Sequence, residues 1–214
     1  MKKLLIASFC LLLTHQVFAG DASNQLKTEL SNIKTFAASF DQRIVDSHDK
    51  PVSKSNGYVS IKRPGAFYWE GKEPDPLLVV ADGKTLWTYD IDLEQVTKQS
   101  ITEALDRTPA ALLAGEIKDL ERDFKISFST EPKCVQEADT CFHLESNGEE
   151  KEFSDIYISM KQGLFIALTV HDQLGQEILT RFSDIKMNAP VDETKFKFTP
   201  PKGVDVIEQH KGKK

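Results

Sequence analysis

Apolar residues recur at three-to-four spacing from residue 22 to 36, at Ala22, Leu26, Leu30, Ile33 and Phe36, with Ser23, Lys27, Glu29 and Lys34 between them. That period predicts an amphipathic helix near the start of the chain. From Phe36 the period falls to two, with Phe36, Ala38 and Phe40 on one side of a strand, and residues 47–56 are rich in turn formers. Strands are predicted at 57–62 and 66–70, separated by Arg63-Pro64-Gly65. Residues 77–81 and 84–89 flank Asp82-Gly83, a hairpin signal because glycine accepts the positive φ of a primed turn. A further strand is predicted at 94–98. The β pattern then breaks over 101–121, where Thr108 can cap a helix and Pro109 suits its first position ahead of Ala110, Ala111, Leu112 and Leu113. Strands resume at 124–129, 141–145, 153–160, 164–171 and 176–186, with turns at Asn147-Gly148, Gln162-Gly163 and Leu174-Gly175. Phe196 and Phe198, alternating with Lys195 and Lys197, read as a last short strand. Ten or eleven short strands, few helices and no βαβ alternation predict a mainly β domain built on one large antiparallel sheet or barrel.

The first residues change what composition means. Lys2 and Lys3 precede an uncharged apolar run from position 4 to 13, and Val17-Phe18-Ala19 offers small residues for cleavage, which reads as an export signal over residues 1–19. The run is too short for a spanning helix, which needs about 20 apolar residues. Cys10 follows Phe9 inside the run and precedes three leucines, so it does not resemble a lipid-modified cysteine. The expectation is a single soluble domain over residues 20–214, exported to a bacterial periplasm. The whole chain of 214 residues carries a formal charge of −6, and losing the two leader lysines moves it to −8. An acidic balance argues against a nucleic-acid binder, and the phenylalanine content argues against a disordered chain.

Candidate chemistry is sparse. Cys134 and Cys141 are the pair left after cleavage, and in an oxidising compartment they predict a disulfide closing a short loop. The alternative, a metal site adding His143, has unsuitable cysteine spacing and lacks a fourth ligand. Gly83-Lys84-Thr85 resembles the end of a phosphate-binding loop, but Leu78 stands where the earlier glycine belongs. No nucleophile elbow and no His-Glu-x-x-His helix is present. His48, His143, His171 and His210 are scattered, and His171-Asp172 and the Asp90, Asp92, Glu94 group read as turn chemistry. No catalytic constellation, metal site or cofactor motif emerges.

The distinctive residues are apolar. Phe67 and Trp69 share one strand face, as do Trp87 and Tyr89, and aliphatic stripes run through Ile156, Ile158 and Met160 and through Leu164, Ile166, Leu168 and Val170. Periodicity alone fits two readings equally: a filled core, or a sheet curved around a cavity for a long apolar ligand with helices as its cover.

A resemblance bears on that choice. Ile61-Lys62-Arg63-Pro64-Gly65-Ala66-Phe67-Tyr68-Trp69, then Val80-Ala81-Asp82-Gly83-Lys84-Thr85-Leu86-Trp87-Thr88-Tyr89-Asp90, Glu94-Gln95-Val96-Thr97, Thr108-Pro109, Leu112-Leu113 and finally residues 195–204 resemble, in order, the periplasmic outer-membrane lipoprotein carrier family, LolA. The resemblance implies an unclosed β-barrel of about eleven antiparallel strands with a helical lid. It implies no enzyme activity, but a monomeric chaperone that takes lipoproteins from an inner-membrane ABC transporter and passes them to an outer-membrane receptor. Arg63 matches the family's arginine that latches the lid through backbone carbonyls. Leu26, Leu30, Ile33, Ala110, Ala111, Leu112 and Leu113 become lid candidates, and Phe67, Trp69 and Trp87 candidates for the acyl-chain cavity. Ala110 and Ala111 are smaller than the family's usual lid residues, and Cys134–Cys141 is a local addition. The alternative function is a periplasmic lipid or polypeptide chaperone with different cargo.

Overall fold

The structure is a computed structural model and describes residues 19–101, 120–147 and 153–209. Residues 1–18 of the leader and the predicted lid residues Ala110, Ala111, Leu112 and Leu113 lie outside the described residues, and Ala19, the last residue of the leader, opens the first helix. The first helix, α1 (Ala19–Asn32), leads through Ile33 and Lys34 into β1 (Thr35–Val45) and β2 (Pro51–Lys62). The chain continues as β3 (Ala66–Gly71), β4 (Leu77–Asp82), β5 (Thr85–Asp90) and β6 (Gln95–Ser100). After one helical turn, α2 (Leu120–Asp123), come β7 (Phe124–Phe128), β8 (Thr140–Ser146), β9 (Phe153–Lys161), β10 (Leu164–Asp172) and β11 (Glu177–Met187). A 3-10 turn (Glu193–Phe196) and β12 (Asp205–Glu208) complete the chain.

All twelve strands among the described residues form one sheet in the order β12-β6-β5-β4-β3-β2-β1-β11-β10-β9-β8-β7. It is two meanders, β1 to β6 and β7 to β11, joined where β1 pairs antiparallel with β11. The eleven strands from β1 to β11 are antiparallel to their neighbours, and β12 adds to β6 in parallel. No described pairing joins β7 to β12, so the sheet curls without closing. Its curl is visible in the core: Phe36, Phe67 and Leu86 from one meander share a single apolar cluster with Phe142, Ile158 and Leu168 from the other.

Two strand expectations are corrected. Residues 51–56 belong to β2 rather than to a loop; the β1–β2 hairpin projects beyond the core there, so this stretch has no buried face and no apolar alternation. Phe196 and Phe198 do not form the last strand. Asp192 caps the 3-10 turn by accepting from the Thr194 amide, and the strand that follows lies downstream at β12. The tight turns behave as expected: Gln162 and Gly163 both take positive φ, and so does Gly83, beside which Asp82 Oδ1 accepts from the Lys84 and Thr85 amides.

Candidate apolar chamber and its cover

Cross-strand register decides which side chains look inward. Phe36 opposes Ile61, Ile61 opposes Phe67, Phe67 opposes Ala81 and Ala81 opposes Leu86, one row of directly paired positions across five strands. The next row runs Ala38, Val59, Trp69, Val79 and Thr88, and the third begins Phe40, Gly57, Gly71 and Leu77. In the second meander Leu168, Ile158 and Phe142 are paired in one row, and Val170, Ile156, Leu144 and Ile126 in another. Because side chains on paired positions share a face, these rows line one continuous, mainly apolar surface; most of them belong to the core cluster, and Trp69 and Leu77 pack against it.

The cover over this surface is α1. Ala22, Leu26, Leu30 and Ile33 sit on one helical stripe, and all four are buried in the same cluster. Leu26 and Leu30 have no exposed surface at all, so α1 fills space inside the curl. The helix is not part of the hydrogen-bonded sheet. Near its N-terminal end, Ser23 Oγ donates to Glu121 of α2 and Lys27 forms an ion pair with the same carboxylate. Those contacts hold Glu121 below the usual carboxylate range, the Lys27 hydrogen bond contributing most. At the other end Asn188 accepts from the Lys34 amide at 2.8 Å and donates to Asn32 O at 2.8 Å, fixing the helix exit to the end of β11.

Arg63 follows β2 at the barrel end where α1 stops. Its amide donates to Lys34 O at 2.9 Å, its peptide bond to Pro64 is cis, and position 63 continues the phase of the inward residues Val59 and Ile61. Burial pulls the Arg63 pKa down to about 10. It therefore stays charged at neutral pH, and a cation is held out of bulk water beside the helix exit. The adjoining turns are tightly packed: a Cβ on Gly65 would lie 2.9 Å from Gly83 Cα.

The predicted cavity residues divide. Phe67 is fully buried and Trp69 half-buried on the inner face, with Trp69 stacked on Phe40 at 3.8 Å between ring centroids. Trp87 is placed elsewhere. It pairs with Val80, which pairs with Tyr68, so it projects from the outer face, while its neighbour Leu86 points inward. There it packs on Phe198 at 5.8 Å under the C-terminal segment, with Lys98 5.5 Å from its ring centre. Phe40, stacked on Trp69, escaped the sequence reading as a cavity residue; its alternation with Phe36 and Ala38 was the available signal.

On the outer face of the second meander, residues 129–139 form a strap across β8 to β10. Cys134 and Cys141 are joined in a disulfide with Cα atoms 6.0 Å apart, so neither sulfur is a thiolate ligand in this state. Thr169 Oγ1 donates to Lys133 O at 2.8 Å, and the Val135 amide donates to Ser159 Oγ at 3.2 Å. The histidines beneath are not solitary. His143 Nε2 lies 2.6 Å from Asp155 Oδ1 and the ring stacks on Tyr157, while His171 Nε2 lies 3.2 Å from Glu177 Oε2. Burial acts to raise the Asp155 pKa, but hydrogen bonds from His143 and Ser154 outweigh it and the net shift is downward. These pairs tie side chains together on the sheet surface. Among the described residues no group of three His, Cys, Asp or Glu side chains is placed to hold a metal. A groove of about 670 Å³ is lined by the strap and a second of about 530 Å³ by β1, β2 and β11; they share Arg43, Leu179 and Arg181, and most of their lining residues are polar or charged, unlike the inner face.

Comparison with known proteins agrees with this arrangement. The family described as "Outer membrane lipoprotein carrier protein LolA" matches residues 31–199. An outer-membrane lipoprotein carrier protein of Coxiella burnetii is 38% identical over 191 residues, covering 89% of this chain and 88% of the relative. One from Legionella pneumophila is 38% identical over 199 residues, covering 93% of this chain and 96% of the relative. A crystal structure of an uncharacterized conserved protein from Thermus thermophilus superposes with a TM-score of 0.51 at 12% identity, over 89% of this chain and 99% of that one, and bears on the fold alone. With most of its length matched by the family and by these relatives, the chain belongs to the outer membrane lipoprotein carrier family, LolA.

Proposed function

We propose that this protein is a periplasmic lipoprotein carrier whose curled sheet shelters acyl chains while α1 swings aside. The leader over residues 1–19 is removed on export, leaving residues 20–214 as one carrier domain acting as a monomer. Cargo arrives from an inner-membrane ABC transporter and leaves to an outer-membrane receptor; no covalent step is involved. The observation that carries the reading is an apolar inner face covered by a helix instead of by strand pairing, so that the cover can leave without breaking the sheet.

The magnitudes favour loading. Leu26, Leu30 and Ile33 contribute about 1.5–3 kcal/mol each by burial, and displacing them forfeits that. Acyl chains return about 0.8 kcal/mol for each methylene they bury, and a triacylated cargo carries dozens. The cover therefore yields to cargo but recloses when cargo departs. Opening would pivot at the Asn188-bound exit of α1 and release the Ser23 and Lys27 contacts to Glu121. Arg63 is assigned as the latch: its guanidinium has five donors in a fixed fork, buried at the end where the helix exits. Leu26, Leu30 and Ile33 form one lid segment, and Ala110, Ala111, Leu112 and Leu113, outside the described residues, are assigned as the other. Phe67 and Trp69 line the chamber.

The test uses membrane vesicles containing the transporter and a triacylated lipoprotein. With ATP the carrier should bring the lipoprotein into the soluble fraction, and an unacylated form should not compete. Equal competition by the unacylated form would instead favour a polypeptide chaperone with different cargo.

A further inference from the structure

We propose that the Phe40–Trp69 stack, seated on Gly57, is the floor of the acyl-chain chamber and sets the longest chain that the protein shelters in full. The inference rests on the carrier reading and adds to it a determinant of chain length.

Exposure along the strands locates the floor. On β2, residues 59 to 61 are buried, Gly57 and Tyr58 are half-buried and Asn56 is exposed, so the interior gives way to solvent at the level of Gly57, where the buried Phe40 is paired. Four of the six partly buried apolar residues that pack on the core gather at the same end, while Ile185 and Met187 lie at the other. Leu77 and Phe153 open β4 and β9, Ile178 is the second residue of β11, and Trp69 lies two residues before the end of β3. This is the end of the barrel away from Arg63, where apolar interior gives way to solvent.

The stack closes that end because of glycine. Phe40 pairs directly with Gly57, and a Cβ at Gly57 would sit 1.9 Å from Glu70 O and 2.7 Å from the Phe40 ring. With no side chain there, the Phe40 ring lies across β2 and reaches Trp69, 23° from parallel to it. Gly71, next in the inward phase after Trp69, leaves the rim below the indole thin. Both aromatic residues belong to strands hydrogen-bonded on each side, so the floor stays in place when α1 moves.

From Arg63 to Gly57 is six residues of strand, about 20 Å at the usual rise, which matches an extended saturated chain of about sixteen carbons. A longer chain would meet the stack or leave its end in water.

The experiment displaces an apolar fluorophore from the mature protein with N-acyl peptides carrying lauroyl, myristoyl, palmitoyl, stearoyl or arachidoyl chains. Affinity of the unaltered protein should rise about fourfold per added methylene up to palmitoyl and then level off. In Trp69→Ala the rise should continue through stearoyl to arachidoyl. Trp69→Phe, which keeps a ring on Phe40, should restore the palmitoyl limit. Gly71→Val adds bulk where a built Cβ meets nothing closer than 3.6 Å, and should move the limit to shorter chains. Gly71→Val keeps the test open if Trp69→Ala fails to fold. Acyl peptides that bind normally with the limit unmoved in both variants would overturn the floor and leave the carrier reading standing. No binding at any chain length would overturn both.

Discussion

Leu30→Ala separates the two roles open to α1, displaceable cover or fixed wall. Leu30 has no exposed surface and sits in the core cluster beneath the helix. Truncating a leucine so placed costs about 3 kcal/mol, from lost transfer energy and the cavity left behind. In the open state residue 30 faces water, so the cost falls on the closed state alone. That shifts the closed-to-open ratio by about a hundredfold, and an apolar fluorophore that binds the open chamber should bind up to about a hundredfold tighter. Amide hydrogen exchange in α1 should quicken while the β1 to β11 amides keep their protection. If α1 is instead integral to the core, the same loss appears as global destabilisation, a fall in Tm of about 6–12 °C for a chain of this size. Unchanged fluorophore affinity together with that full fall in Tm would refute the displaceable cover.

Other consequences are open to direct measurement. Arg63→Leu should leave loading intact and impair delivery to the receptor, read by the fraction of lipoprotein retained in soluble complex; normal delivery would remove Arg63 from the latch role. Cys134→Ser, or reduction of the intact protein, should cost about 2–3 kcal/mol by freeing a short loop in the unfolded chain, seen as a lower Tm without altered acyl-chain binding. Asp155 and Glu177 both titrate below the ordinary carboxylate range. For Glu177 burial pushes the other way and is outweighed by hydrogen bonds from Lys133 and His171. A depressed carboxylate contributes stability that is present above its unfolded pKa and lost as pH falls through the folded one. Tm should therefore hold above about pH 5 and decline below about pH 4, with a shallower decline in Asp155→Asn; an equally steep decline in that variant would contradict the assignment.

What could be read from sequence follows from locality. The stripe of Leu26, Leu30 and Ile33, the parity of Phe67 with Trp69 and the positive-φ turn at Gln162-Gly163 are properties of one short segment, and the structure bears out each. The pairing of Cys134 with Cys141 needed only seven residues of separation and an oxidising compartment. Trp87 shows where locality ends. Alternation places Trp87 with Tyr89 on one face of β5, but which face turns inward is set by the register across the β4–β5 turn, where Ala81 meets Leu86. Residues 77–81 are apolar on both faces, with the 3-10 turn Glu193–Phe196 packed near β4, so they carry no alternation from which to infer the register. The exposed start of β2 and the parallel addition of β12 were hidden for a related reason. Neither stretch buries a face in the core, and β12 forms by reaching β6 from more than a hundred residues away. The histidine pairs likewise depend on strand neighbours, with His143 and Asp155 brought together across β8 and β9.

The central claim is that the molecule carries acylated protein inside its curl. Native mass spectrometry of the protein isolated from its own periplasm addresses this most directly. The account predicts a population heavier than the free carrier by one triacylated lipoprotein, dissociating to the intact carrier and cargo, and no such population when the cargo's lipidated cysteine is replaced. Carrier found only free, or bound equally to unacylated protein, would contradict it.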